Sequence, residues 1–587
     1  MTSIVISLHV SLGDLVEAGQ TLLVLEAMKV QTPIVAPNAG TVSRINVSPG
    51  SMVEEGTLLL EIREIQPPKD SPAEELPSQQ GKLNANEPIP LEQVQSRLAK
   101  TLDSARQEAI AKRHRKGYRS ARENLADLCD PDSFIEYGQL AVAAQRQRRD
   151  YEELQSATAA DGVITGIGTI NSKQMEYTRT QAAIVINDYS VLAGTQGYFH
   201  HQKLDRILAI AESQTLPVIM YTEGGGGRPG DTDITTASSS LNCQSFTTWA
   251  RLSGVVPRIA VNNGYCFAGN AALFGAADIT IATQTSWIGM AGPAMIEGGG
   301  LGTFKPTEIG PTDTQARNGS IDLVAQDEAH ATHLAKQVLS YFQGPLSEWE
   351  CADQEQLRHI LPEDRRFVYN MREVITILAD RETFLEVRSA YGGAIITGFM
   401  RIEGRPLGVL ASDCNNLGGA IDVDAGEKAA HFIQLCNTFG MPLLSLCDTP
   451  GFMVGPQHEE LGAVRRLSSL FVAGAKITVP LIAIILRKCY GLGAQALLGG
   501  STMNPSYTVA WPSAEFGAMG LEGAVRLGFK KELEAEADPQ ARQALFEQLL
   551  AQQYARGQAV EVATLLEIDA VIDPADSRRV ILAGLGH

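Results

Sequence analysis

No two of the eight cysteines form a C-x-x-C pair, and their positions (129, 243, 266, 351, 414, 436, 447 and 489) match no ligand spacing. That excludes a disulfide framework and a zinc ribbon, and a reducing cytoplasm is the natural compartment. Long hydrophobic runs are equally absent. The most apolar stretch, Ile477 to Leu486, has ten residues and contains Pro480, whereas a membrane-spanning helix needs about 20; it reads as a buried strand, and no membrane partner is expected. Positive charge is scarce, with 48 Lys and Arg against 67 Asp and Glu and a net charge of −19. Such a field repels phosphates and argues against a nucleic-acid partner. No basic segment precedes an apolar one at the start, so no secretory leader is read. The single Gly-Lys pair, Gly81-Lys82, lacks the rest of a phosphate loop, and no G-x-S-x-G elbow occurs. With 44% hydrophobic and 20% charged residues, what remains is a globular chain with room for three or four domains.

What is present begins with a repeat. Val10-Ser11-Leu12-Gly13-Asp14-Leu15-Val16-Glu17-Ala18-Gly19 returns without a gap as Val47-Ser48-Pro49-Gly50-Ser51-Met52-Val53-Glu54-Glu55-Gly56. Alternating apolar positions and a Gly turn in each copy read as strand, turn, strand, and two copies make a small all-β sandwich. Between them stands Leu25-Glu26-Ala27-Met28-Lys29-Val30, which places Lys29 where a hairpin tip holds it in solvent. Shifting Val35-Ala36-Pro37 back by one repeat runs off the start of the chain, so the first half lacks one strand and an unpaired edge is expected.

Residues 66–90 carry six prolines and no periodicity, and read as a linker. These 25 residues could reach up to roughly 80 Å, enough for a tethered carrier to visit two distant sites. The next stretch, to Arg122, is helical in pattern and locally basic: Arg106, Lys112, Arg113, Arg115, Lys116, Arg119 and Arg122 either serve phosphates or form a solvated face.

A second duplication fills the rest. Pro217-Val218-Ile219 through Glu223-Gly224 matches Pro442-Leu443-Leu444 through Asp448-Thr449, and Val256-Pro257 matches Val479-Pro480. Each of those two prolines is followed by a cysteine, in Cys266-Phe267-Ala268-Gly269-Asn270 and Cys489-Tyr490-Gly491-Leu492-Gly493. Both halves alternate short apolar strands with helices, which implies two α/β domains. The expected boundaries are 1–65 for the carrier, 66–90 for the linker, 91–345 and 346–587 for the halves. Small-residue turns after buried strands put bare N–H groups at helix starts, where an oxyanion can be held. Gly225-Gly226-Gly227-Arg228-Pro229-Gly230 fits a dinucleotide fingerprint only formally, since it runs into Pro229 and Asp231 and not an apolar helix. Asp327, Glu328, His330 and His333 could be drawn as metal ligands but read as a solvated helix face; no metal site is expected.

Glu26-Ala27-Met28-Lys29 in its repeat resembles the biotinyl carrier domain of biotin-dependent carboxylases; a lipoyl carrier shares the fold but flanks its lysine differently. Arg119 to Asn124, Leu417 to Asp422, Cys447 to Phe452 and Arg487 to Gly491 resemble, in order, the blocks of acyl-CoA carboxylase carboxyltransferase subunits of the propionyl-CoA and methylcrotonyl-CoA type. The resemblance implies two crotonase-like (ClpP/crotonase superfamily) domains. It also implies carboxyl transfer from carboxybiotin on Lys29 to the α-carbon of an acyl-CoA. By the same resemblance the Gly269 and Asn270 N–H groups stabilise the thioester enolate and those of Leu492 and Gly493 the ureido oxygen of biotin, with no side-chain base required. Arg119 and Arg122 are candidate substrate contacts. Gln495 falls near the acyl-selecting position and leaves acetyl-, propionyl- and longer acyl-CoA open. The implied partners are a separate biotin carboxylase, a biotin protein ligase and further copies of the chain, as a hexamer. Two other readings are the carboxyltransferase part of a sodium-pumping decarboxylase and a non-catalytic carrier or scaffold.

Overall fold

The computed structural model describes residues 3–27, 30–64, 90–235 and 241–586. Met28, Lys29 and most of the Pro-rich stretch lie outside them. The chain divides into two compact units, Met1–Glu87 and Pro88–His587.

The first unit is a sandwich of seven short strands: β1 (Ser3–Leu8), β2 (Leu15–Val16), β3 (Thr21–Ala27), β4 (Val30–Val35), β5 (Gly40–Ile45), β6 (Met52–Val53) and β7 (Leu60–Glu64). One sheet has the order β4-β3-β1-β6 and the other β2-β5-β7. Alternation sends Val10, Val16, Leu22, Ala36 and Val42 into a shared core. The repeat is visible in its turns: Gly13 and Gly50 have φ of 93° and 91°, and Gly19 and Gly56 have 87° and 91°, a region that Gly enters without a Cβ penalty. Among the described residues β4 has no counterpart beside β7, so β7 pairs only with β5 and forms an edge.

The second unit contains two sheets of the same design. The first half contributes β8 (Ile135–Tyr137), β9 (Val163–Thr169), β10 (Gln181–Asn187), β11 (Val218–Tyr221), β12 (Arg258–Asn262), β13 (Tyr265–Phe267), β14 (Ile279–Thr283), β15 (Trp287–Gly289) and β16 (Leu323–Ala325). The second contributes β17 (Leu385–Val387), β18 (Ile395–Ile402), β19 (Arg405–Ser412), β20 (Leu443–Thr449), β21 (Leu481–Tyr490), β22 (Tyr507–Ala510), β23 (Glu515–Gly517) and β24 (Ala570–Val571). Their main orders, β16-β14-β12-β11-β10-β9-β8 and β24-β22-β21-β20-β19-β18-β17, correspond strand for strand. In each, the first three strands of the half are antiparallel and the rest parallel. The parallel strands are apolar on both faces because helices cover both. The second part of the apolar run noted in the sequence, Leu481 to Leu486, begins β21 and is buried throughout, while Ile477 to Pro480 precede the strand and are exposed or half-buried. The halves share one core, where Tyr341 and Phe342 pack on Phe399 at 5.3 and 5.8 Å between ring centroids. Among the described residues no helix is long and apolar enough to cross a membrane.

The duplication extends to a buried lysine in each half. Lys203 Nζ donates to the carbonyls of Ala160 and Val163, and Lys428 Nζ to those of Tyr391 (3.0 Å) and Ile395 (2.7 Å). Burial pulls both down to about 8. Lys428 titrates near 8 when folded and near 10.5 when unfolded, so between these values the unfolded chain holds the extra proton and rising pH favours the folded state. Wild type should therefore gain up to about 3 kcal/mol over Lys428→Met across that window, read from urea midpoints at each pH.

One expectation is corrected. Asp327 caps the helix Glu328–Gln343, but Glu328 is buried, accepting from Arg119 N (2.8 Å), Asn124 Nδ2 (2.6 Å) and Asn263 Nδ2 (3.2 Å). Of Asp327, Glu328, His330 and His333 only Glu328 is buried, its carboxylate held by donors distant in sequence; Asp327 and His333 are exposed, as on a solvated face.

Candidate active site

Each half passes from its central strands into a short helix through one residue of positive φ. In the first half β13 leads into Ala268 (φ 52°) and the helix Gly269–Gly275; in the second β21 leads into Gly491 (φ 59°) and the helix Gly491–Leu497. An alanine at φ 52° and ψ −119° is strained by about 1–3 kcal/mol, and its N–H bond to Gly289 O at 3.0 Å holds it there. Asn270 and Leu492 both avoid positive φ. The N–H groups of Gly269, Asn270, Leu492 and Gly493 lie in first turns, which the helix itself leaves unbonded. Among the described residues none of the four meets an acceptor.

A matched loop lies behind each turn. Leu192, Ala193 and Gly194 have φ of 48°, 54° and 61°; Leu417, Gly418 and Gly419 have 50°, 63° and 86°. A Cβ on Gly194 would stand 2.5 Å from Glu223 O, and one on Gly419 2.6 Å from Asp448 O. Main chain thus crosses main chain at the same place twice. The slot beside the turn is filled differently in the two halves. Asn270, fully buried, accepts from Gly226 N at 3.0 Å and donates to Gly194 O at 3.5 Å. At Gly493 the backbone of Gly451 approaches instead, 2.7 Å from where a Cβ would be. Asn270→Ala leaves the Gly226 N–H and the Gly194 carbonyl without their partner, at a cost of about 1–3 kcal/mol. The urea midpoint should fall accordingly, with a loss of acyl-CoA turnover.

A cavity of about 910 Å³ opens in the first half, lined among others by Arg106, Lys112, Arg113, Lys116, Ala193 and Glu223. Ala193, in its lining, precedes Gly194, whose carbonyl accepts from Asn270. The cavity floor is built from paired charges: Arg113 grips Glu223 with two bonds (2.9 and 2.8 Å), and Arg106 reaches Asp188 at 2.7 Å. Burial, with Glu328 and Asp188 nearby, pushes Glu223 up to about 7 against the pull of Arg113. Lys112 and Lys116 stand exposed in the lining one turn apart, and among the described residues no carboxylate pairs with them.

The basic cluster is therefore divided. Arg119 and Arg122 point elsewhere: Arg119 pairs with Asp127 (2.7 Å), and Arg122 with Glu136 (3.0 Å) and the carbonyl of Thr101 (2.9 Å). Neither lines the cavity. Their block is a helix start, with Ser120 and Glu123 forming a capping box. Gln495 is exposed on its helix, as is Leu492, while Gly493 is buried. Lys29 lies outside the described residues. The strands on either side of it pair down to Ala27↔Val30.

A doubled α/β unit with unbonded N–H groups at both sheet-to-helix turns, preceded by a β-sandwich hairpin that brackets a lysine, defines a crotonase-like enzyme fused to a cofactor carrier. The carboxyl transferase domain model matches residues 112–585, and the model for biotin-requiring enzymes matches residues 1–62. The chain belongs to the carboxyl transferase family and carries a biotin domain, so biotin is its cofactor. It is 32% identical over 490 residues to the methylmalonyl-CoA carboxyltransferase 12S subunit of Propionibacterium freudenreichii subsp. shermanii, covering 81% of this chain and 90% of the relative. It is 31% identical over 503 residues to the biotin-dependent long chain acyl-coenzyme A carboxylase beta4 subunit of Mycobacterium tuberculosis, covering 83% and 92%. Among solved structures, a single-chain, multi-domain long-chain acyl-CoA carboxylase matches with TM-score 0.80 and 48% identity over 99% of this chain. The chain spans 55% of that protein's length. The transcarboxylase 12S hexamer, solved with methylmalonyl-CoA bound, matches with TM-score 0.73 and 30% identity, over 84% of this chain and 94% of the other.

Proposed function

We propose that this chain transfers a carboxyl group from biotin on Lys29 to the α-carbon of an acyl-CoA. Biotin supplies the activated carboxyl group, and the chain's own residues bind and orient. Lys112 and Lys116 meet the phosphates of coenzyme A at the cavity mouth. The Gly269 and Asn270 N–H groups hold the thioester oxygen as negative charge develops on it. The Leu492 and Gly493 N–H groups face the ureido oxygen of biotin, a fit of two donors to one acceptor that needs no side chain. The observation that carries this reading is the turn built twice, with one unbonded N–H pair for each substrate. Donors of this kind are worth about 2.7–4 kcal/mol each in a transition state, so two pairs supply much of the barrier reduction.

The work is divided among subunits. Biotin is attached by a biotin protein ligase and carboxylated by a separate biotin carboxylase, and copies of this chain assemble in the cytoplasm as a hexamer like the 12S relative. The acyl group is acetyl, propionyl or longer, the range that the names of the relatives span; the exposed Gln495 places no charge against a longer chain. The test supplies biotin carboxylase, ATP and labelled bicarbonate with acyl-CoAs from acetyl to lauroyl. Acid-stable label should appear in at least one acyl-CoA. If the chain is biotinylated and none receives label, the reading fails.

A further inference from the structure

Gln196 has no part in the transfer just described, yet it is only 4% exposed and lies against the Gly269 turn. Its main chain is fixed on both sides, donating to Gly226 O at 2.7 Å and accepting from Arg228 N at 2.8 Å in a parallel bridge to Gly227. The side chain is thereby aimed at the start of the helix Gly269–Gly275. A Cβ on Gly269 would stand 2.3 Å from Gln196 Oε1 and 3.3 Å from its Cδ. The amide nitrogen is buried and, among the described residues, has no acceptor. Buried amide donors in native proteins are almost always bonded, so an unpaired one beside unbonded N–H groups calls for a missing acceptor.

The second half provides an internal control. Ile421 bridges Phe452 as Gln196 bridges Gly227, and it is fully buried and apolar. The fold at this position is satisfied by a hydrocarbon side chain. The amide is peculiar to the half whose turn faces the thioester.

We propose that Gln196 Nε2 donates a hydrogen bond to the carbonyl oxygen of the bound acyl thioester, as a third donor beside the Gly269 and Asn270 N–H groups. The inference rests on the assignment of that turn to the thioester. A third donor strengthens as the oxygen gains charge, so it acts on turnover more than on ground-state binding. The acceptor is an oxygen common to every acyl-CoA, so the contribution is independent of chain length.

The test compares full-length wild type, Gln196→Leu and Gln196→Glu. Leucine matches the apolar counterpart at Ile421 and keeps the volume; glutamate keeps the shape but has no N–H to donate. Dissociation constants are measured by calorimetry for propionyl-CoA and lauroyl-CoA and for their thioethers S-propyl-CoA and S-dodecyl-CoA, in which CH₂ replaces the carbonyl. Wild type should bind thioester more tightly than thioether. In Gln196→Leu, and in Gln196→Glu at pH values where the carboxylate is ionised, that preference should shrink about fivefold, and kcat of carboxyl transfer should fall about 10²-fold while KM rises no more than about fivefold. Equal weakening of thioester and thioether would show that Gln196 only shapes the pocket. A Gln196→Leu enzyme as active as wild type would overturn the donor role. If wild type itself shows no preference for the thioester, the assignment of the Gly269 turn falls and this proposal with it.

Discussion

Lys29→Arg will leave the chain folded and unable to pass any label from bicarbonate to acyl-CoA, however much biotin carboxylase and ATP are supplied. Arginine keeps the charge and nearly the length of the side chain. The guanidinium has no accessible neutral form, whereas a lysine amine can be deprotonated to attack an activated acyl group. No biotin can then be attached, which streptavidin blotting will show directly. On the proposed function the loss should be complete, because the cofactor on Lys29 carries the carboxyl group from the biotin carboxylase to the acyl group. Excess free biotin should support a slow decarboxylation of methylmalonyl-CoA by Lys29→Arg, since both turns remain intact. If Lys29→Arg still carries label to acyl-CoA at the wild-type rate, the carrier assignment is wrong.

Much of this architecture is readable from local signals. The sandwich repeat shows because its turns need Gly at fixed places, and Gly13, Gly19, Gly50 and Gly56 all take positive φ. The doubled halves show because each buried strand ends in an acid and a small-residue turn, a pattern that survives when the rest diverges. Which charges are free is not readable in this way. Arg106, Lys112, Arg113, Lys116, Arg119 and Arg122 look alike in the sequence. The partners that neutralise Arg106 and Arg113 are Asp188 and Glu223, 82 and 110 residues away. Arg119 and Arg122 had nearer partners, Asp127 and Glu136, 8 and 14 residues on. An acid at that distance beyond a capping box is the one signal that marks both as structural. Ala268 carries no warning at all. Its strain is set by β15, through the Gly289 carbonyl, and not by its neighbours in sequence.

Gly493→Ala should damage the second turn severely. The added Cβ would stand 2.7 Å from Gly451 C, 2.8 Å from Gly451 Cα and 2.9 Å from Phe452 N. All three are backbone atoms, and the backbone they belong to is pinned: Ile421 N donates to Gly451 O at 3.0 Å and Met453 N to Ile421 O at 2.9 Å. The helix start must therefore move away, taking the Leu492 and Gly493 N–H groups with it. Loss of such a donor geometry lowers turnover by about 10²–10³-fold. Acyl-CoA affinity should stay within about twofold, because the cavity lies in the other half, and the two sites are separable in energy when they share no partner. Gly269→Ala offers the contrast. There the Cβ meets Gln196 Oε1 at 2.3 Å and Phe246 Cζ at 3.1 Å, both ends of side chains that can turn aside. Its fold should survive, and its defect should appear in acyl-CoA binding and turnover together. Calorimetric binding of acyl-CoA alongside steady-state carboxylation separates the two cases. Equal defects in the two variants, or a loss of acyl-CoA affinity in Gly493→Ala, would mean that the second turn does not serve biotin alone.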